Sequence, residues 1–327
     1  MNTAVLLLVF NRPETTVRIL QEIRTARPER LYVAADGPRQ NSGNDLELCR
    51  KVRQITTSID WQCEVKTRFL EKNLGCKDAV HSALNWFFEH EEQGIILEDD
   101  CLPDNSFFRF CEEMLEKYQN DTRIMTISGS NFQPLNEIEN SYYFSRYPNI
   151  WGWATWRRAW QLYDFTMTAW PEFRQNKVFL EMFDRRTLRF WQNIFDRTHG
   201  TLVNSWAYPW TFSCLTHKGL SILPSVNLVS NIGELTEGTH TNKFLDPYME
   251  FPRSTLKFPL IHPDKIKSNR EYDILFEKIQ NPGILTWLVR ISRYFIYALF
   301  HKDVSVKKIF HEVYGKVKGR LYKKKSA

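Results

Sequence analysis

The run Ala4-Val5-Leu6-Leu7-Leu8-Val9-Phe10 has no polar residue at alternate positions. A strand with one wet face alternates apolar and polar side chains. An unbroken run reads instead as a strand covered on both faces, as in a parallel sheet. The pattern then recurs along the chain. Pro13 suits the first turn of a helix from about Glu14 to Thr25. The stretch "RLYVAAD" reads as a second strand ending at Asp36, where Gly37-Pro38 breaks the chain. A helix near 44–57 leads to a third strand in "CEVKTRFLE". Apolar residues at 79, 80, 83, 84, 87 and 88 mark one face of the next helix, and "GIILEDD" follows as a fourth strand. This strand-helix order predicts an α/β fold with a doubly wound, mostly parallel sheet and flanking helices.

The second half reads differently, with short strands ("IMTIS", "YYFS"), aromatic loops, and two or three helices between about 155 and 218. Trp153, Trp156 and Trp160 fall at i, i+3 and i+7, the spacing of one helical face packed in a core. Residues 1–262 are expected to form one domain, with a nucleotide-binding half at 1–105 and an acceptor half at 106–262. Residues 263–327 are read as a charged connection and a basic helical tail. The chain of 327 residues is 43% apolar, enough for a core of that size.

Cysteines 49, 63, 76, 101, 111 and 214 form no C-x-x-C pair and fit no zinc template. They read as free thiols in a reducing, cytoplasmic compartment. The first residues lack a basic region before the apolar run, so they read as a strand and not as a signal peptide. No uncharged apolar run approaches the ~18 residues of a membrane span.

Ligands of open parallel sheets bind beyond the carboxyl ends of the strands. Three polar elements fall at such ends: Asn11-Arg12, Asp36-Gly37 and Glu98-Asp99-Asp100. Three adjacent carboxylates repel and raise one another's pKa, so a positive partner is expected. Hard carboxylate oxygens suit Mn²⁺ or Mg²⁺, which would take its remaining ligands from a substrate diphosphate. The alternative is that Asp99 or Asp100 caps the helix beginning near Asp104.

The stretches "LLVFNRPETTVRIL", "YVAADG", "NLGCKDAVHSALNWFF" and "GIILEDDCLPDNSFFRF" together resemble nucleotide-sugar glycosyltransferases of the GT-A fold. They are most similar to the N-acetylglucosaminyltransferase I-like group and its bacterial relatives. The likeness covers residues 1–160 and, more loosely, 200–241. It implies transfer of a hexosyl or N-acetylhexosaminyl group from a nucleotide-sugar donor, expected to be a UDP-sugar, to a hydroxyl of a glycan or lipid-linked saccharide. Arg12 and Asp36 would then hold the nucleotide, with Asp36 at the uracil. Asp99 would lie near the ribose or donor sugar, and Glu98 would contact that sugar or orient its neighbours. Asp100 would ligate the metal, and His240 would complete the metal or diphosphate shell. Trp151 and Gly152 would floor the sugar site.

An inverting transferase also needs a general base. The likeness places it within "NSWAYPW", residues 204–210, but Ala207, Tyr208 and Pro209 include no carboxylate. Glu234 or Glu237 is the first candidate to replace it. The others are a retaining reaction in which the leaving diphosphate is the base, and a chain that binds its donor and transfers poorly. A nucleotidyltransferase and a nucleotide-sugar- or glycan-binding protein stand as rival readings, although "FNRPE" replaces any Gly-rich phosphate loop after the first strand.

Charge adds one expectation. Residues 284–327 hold 11 Lys/Arg against 2 Asp/Glu, while the remainder holds 33 against 36. A basic, aromatic tail of this kind is suited to an anionic membrane surface, peripheral on the cytoplasmic face. No nucleic-acid-binding motif accompanies the charge.

Overall fold

The computed structural model describes residues 1–40, 42–133, 138–233 and 251–281. Glu234, Glu237, His240 and the basic tail lie outside the described residues.

The first half alternates as its apolar runs predict: β1 (Val5–Val9), α1 (Pro13–Ala26), β2 (Arg30–Ala35), α2 (Asp45–Thr57), β3 (Glu64–Phe69), α3 (Cys76–His90) and β4 (Gln93–Glu98). The second half contains β5 (Cys101–Pro103), α4 (Asn105–Lys117), β6 (Ile124–Ser128), β7 (Tyr142–Ser145), β8 (Trp153–Trp156), α5 (Arg157–Trp160), α6 (Trp170–Phe173), α7 (Lys177–Met182), α8 (Arg185–His199), α9 (Ala207–Thr216), β9 (Leu220–Pro224), β10 (Val229–Asn231) and α10 (Arg270–Gln280).

Eight strands form one sheet in the order β3-β2-β1-β4-β8-β6-β9-β7. The strands β1 to β4 are mutually parallel. β8 runs antiparallel to both β4 and β6, β9 runs parallel to β6, and β7 runs antiparallel to β9. The sheet is therefore mixed but mostly parallel, with helices on both faces. Every residue of β1 is buried, because odd and even positions meet different layers. Leu7, Ile95 and Leu97 pack with Ile19, Phe107 and Met114 on one side. Leu6 and Ile96 pack with Leu84 and Phe87 on the other. Each such side chain contributes about 1.5–3 kcal/mol of burial free energy.

The tryptophan triplet does not form one helical face. Trp153–Trp156 is strand β8, and only Trp160 is helical. Trp153 stacks on Trp206 with centroids 5.6 Å apart. Trp156 belongs to the opposite layer, where its Nε1 donates to the Leu115 carbonyl at 3.2 Å. Both faces of β8 are covered, which removes the polar alternation that would have marked a strand.

Two further features position the site. Asp104 caps α4 by accepting from the Ser106 amide at 2.9 Å, which leaves Asp99 and Asp100 free of that duty. The antiparallel pair β5–β10 brings residues 229–233 beside Asp100, whose carbonyl accepts from the Ile232 amide at 2.7 Å. Beyond the sheet, α10 is held by buried acids. Asp273 accepts from Ser145 Oγ at 2.6 Å, and Glu277 accepts from Tyr147 Oη at 2.7 Å. Among the described residues no helix is long and apolar enough to cross a membrane.

Candidate active site

Arg12 and the Glu98-Asp99-Asp100 run meet because β1 and β4 are neighbouring parallel strands whose carboxyl ends lie side by side. Arg12 Nη1 donates to Asp99 Oδ1 and to Asp100 Oδ2, each at 3.0 Å. Asp99 Oδ2 also accepts from the Phe10 amide at 3.0 Å. This guanidinium supplies positive charge to the carboxylate run, where the sequence reading put a divalent metal and gave Arg12 to the nucleotide. Together with the Phe10 amide it occupies both Asp99 oxygens, while among the described residues the second Asp100 oxygen accepts only from the Cys101 thiol at 3.4 Å.

Glu98 is placed differently. Its carboxyl group has no hydrogen-bond or ion-pair partner among the described residues and faces a cavity of about 350 Å³. Burial, followed by the charges of Asp100 and Asp99, pushes its pKa up to about 8. Burial likewise raises the pKa of Asp99, although Arg12 opposes the shift.

The cavity lies between the sheet and α3. Its floor is a single register row: Arg68 pairs with Ala34, Ala34 with Leu8, and Leu8 with Glu98. Residues paired across parallel strands point to one face, so the row runs from a guanidinium to a carboxyl group. It spans roughly 14 Å at about 4.8 Å per strand. Ala79, Val80 and Ala83 of α3 line the opposite side. Small side chains at 34, 79 and 83 leave the space open. Arg68 Nη1 donates to Ser82 Oγ at 3.0 Å.

Asp36 lines the same cavity from the end of β2. Its Oδ1 accepts from the Gly37 and Leu74 amides at 2.8 and 2.9 Å. Its Oδ2 accepts from Asn73 Nδ2 and the Gly75 amide at 2.9 and 3.0 Å. Arg39, Asn73, Cys76 and Asn204 complete the polar lining. Asn73, Cys76 and Asn204 lie inside the stretches "NLGCKDAVHSALNWFF" and "NSWAYPW" but were given no role there, and Arg39 lies in no singled-out stretch. Asn73 and Cys76 follow the carboxyl end of β3, so the strand-end rule applied to β1, β2 and β4 would have found them. Cys76 is solvent-exposed at the cavity rim; partial desolvation, followed by the charge of Glu98, raises its thiol pKa.

Trp151 and Gly152 do not line this cavity. Trp151 meets Phe132 edge-on at 4.9 Å. Gly152 has φ +61°, and a Cβ there would stand 2.7 Å from Val229 Cγ2. In the 204–210 segment, Asn204 reaches the cavity, while Trp210 is fully buried.

The oxygen donors at the cavity mouth fit a hard divalent cation. Glu98 has no partner among the described residues, and its ionised form would be favoured by an adjacent cation. Asp100 has one oxygen outside the Arg12 contact. Among the described residues no three His, Cys, Asp or Glu side chains converge as a ready-made metal site. Mg²⁺ and Mn²⁺ commonly take one or two carboxylates and complete their shell with phosphate oxygens and water.

No family model matches the chain, and no curated protein matches it. Solved structures do. The galactosyltransferase LgtC in complex with donor and acceptor sugar analogues is 9% identical; the match covers 88% of this chain and 99% of that chain at a TM-score of 0.36. Mouse xyloside xylosyltransferase 1 is 12% identical, with coverage of 65% and 81% and a TM-score of 0.33. UDP-glucose pyrophosphorylase complexed with UDP-glucose is 12% identical, with coverage of 50% and 79% and a TM-score of 0.30. Likenesses at this level assign no activity to the chain.

Proposed function

We propose that this chain is a metal-dependent glycosyltransferase that moves a sugar from a nucleotide-diphosphate donor, a UDP-sugar, to a hydroxyl of a glycan or lipid-linked saccharide. The observation that carries the reading is the Arg68–Ala34–Leu8–Glu98 row under α3, with Arg12 and Asp100 at its mouth. An apolar shelf with a cation at one end and uncompensated carboxyl oxygens at the other suits a ligand with a flat base and a metal-bound diphosphate. In this reading the base lies toward Arg68 and the diphosphate toward Arg12 and Asp100.

Glu98 and Asp100 would hold Mn²⁺ or Mg²⁺. When bound, the ion stabilises negative charge developing on the leaving diphosphate. Arg12 fixes Asp99 through their ion pair and opposes the rise in its pKa that burial causes. The acceptor hydroxyl must lose a proton as it attacks the anomeric carbon. Glu237 or Glu234 is proposed to take it, with His240 contributing to the metal or diphosphate shell. Gly233, whose Cβ position lies 2.9 Å from Asp100 Oδ2, starts that segment at the site edge.

Product analysis with a panel of sugar nucleotides and Mn²⁺ tests the proposal. Release of the nucleoside diphosphate, with sugar on an acceptor or on water, supports it. Release of pyrophosphate would make the chain a nucleotidyltransferase, and binding without turnover would make it a binding protein.

A further inference from the structure

We infer that Asp36 is a positioning residue, which builds the wall of the donor cavity and does not itself read the base. The inference rests on the proposed nucleotide site and goes beyond it. An ionised carboxylate offers about four lone-pair positions. At Asp36 all four are taken by protein donors: the Gly37, Leu74 and Gly75 amides and Asn73 Nδ2, at 2.8–3.0 Å. A base N–H could bond this carboxylate only by displacing one of them.

The displaced group would be costly to lose. Asn73 Nδ2 also donates to the Gly37 carbonyl at 2.9 Å. A Cβ at Gly37 would lie 2.3 Å from the Lys72 carbonyl carbon, so the end of β2 and the loop before α3 touch backbone to backbone. Arg53 Nη2 ties Leu70 into the same knot by donating to its carbonyl at 2.5 Å. Asn73, Gly75, Cys76 and Ala79 of the cavity wall all follow this junction. Asp36 thus sets where the first turn of α3 stands against the sheet. It acts on the ligand through Asn73 and Gly75.

Asp36→Asn separates the two roles. The amide keeps one oxygen and presents an NH₂ group to donors, so two N–H groups lose their acceptor. If Asp36 only positions, UDP and CDP affinities fall together by at least about tenfold, with their ratio held within about twofold. Hydrogen exchange of the peptide spanning residues 70–76 accelerates while the rest of the fold keeps its protection. If Asp36 accepts from the base, the amide favours cytosine over uracil. A tenfold or larger shift of the UDP:CDP ratio, with residues 70–76 still protected, overturns the inference. A residue that merely stabilised the fold would lower the melting temperature without weakening nucleotide in the folded variant, and that result also overturns it. Asn73→Ala covers the case in which Asp36→Asn fails to fold. It should accelerate exchange at 70–76 and weaken both nucleotides equally, and wild-type values for both would contradict the inference. If the wild-type chain binds neither nucleotide, the donor reading fails, and the exchange measurement still decides whether Asp36 orders the loop.

Discussion

Arg68 and Glu98 occupy the two ends of one register row of the sheet, with Ala34 and Leu8 between them. A cation and an unpartnered carboxyl group therefore face the same cavity from opposite ends. They are too far apart to pair, so each remains available to a ligand that spans the row.

Arg68→Ala should weaken nucleotide binding by about tenfold or more, because a hydrogen bond to a charged donor is worth about 1.5–3 kcal/mol. Arg68 is partly exposed and has no carboxylate partner among the described residues, so stability should change little. Equilibrium titration with UDP checks the first expectation, and urea unfolding checks the second. Unchanged affinity would remove Arg68 from the site.

Glu98 should impose a pH dependence on stability. Burial raises its pKa from 4.5 to about 8 in the folded chain. The folded state then holds a proton that the unfolded state has released. Stability from this group is fully present below about 4.5 and is lost as pH rises through about 8. The slope from one such group cannot exceed about 1.4 kcal/mol per pH unit. Urea unfolding in EDTA between pH 5 and 9 should show the decline, and Glu98→Gln should flatten it. An undiminished slope in that variant would remove Glu98 as its source.

Cys76 should be a poor nucleophile. It is solvent-exposed on the cavity wall, and partial desolvation followed by the charge of Glu98 raises its pKa, so little thiolate exists at neutral pH. Alkylation at pH 8, followed by mass spectrometry, should run at least tenfold slower than for glutathione, and UDP with Mn²⁺ should slow it further. Labelling at the glutathione rate would contradict the placement of Cys76 beside Glu98.

Gly152→Ala tests the packing behind the site. The residue has φ +61°, and the added Cβ would crowd Val229 Cγ2. A loss of about 1–3 kcal/mol in urea unfolding is expected. A variant as stable as wild type would show that this backbone can relax at no cost.

The β1–β4 half was legible because its elements are long and strongly patterned. The unbroken "VLLLV" of β1 and the apolar face of α3 appear in the structure close to where the sequence puts them. Convergence of Arg12 with Asp99 followed from the strand-end rule alone. The cavity was less legible. Arg39, Arg68, Asn73 and Asn204 come from separate segments, each as a single polar residue, and the register that lines up Arg68 with Glu98 is a tertiary fact. Trp153 and Trp156 misled by spacing, because a strand buried on both faces has no polar alternation to distinguish it from a helix. Asp36 was legible as a strand-end carboxylate, and it lines the cavity, but its saturation by Leu74, Gly75 and Asn73 depends on a loop more than 35 residues away.

The most direct test of the central claim is titration of UDP into the wild-type chain and Asp100→Asn, each with Mn²⁺ and with EDTA. Wild type should bind UDP at least tenfold more tightly in Mn²⁺. Asp100→Asn should remain folded and lose that metal dependence. A wild-type chain that binds no UDP, or an Asp100→Asn variant with undiminished Mn²⁺ dependence, would contradict the account.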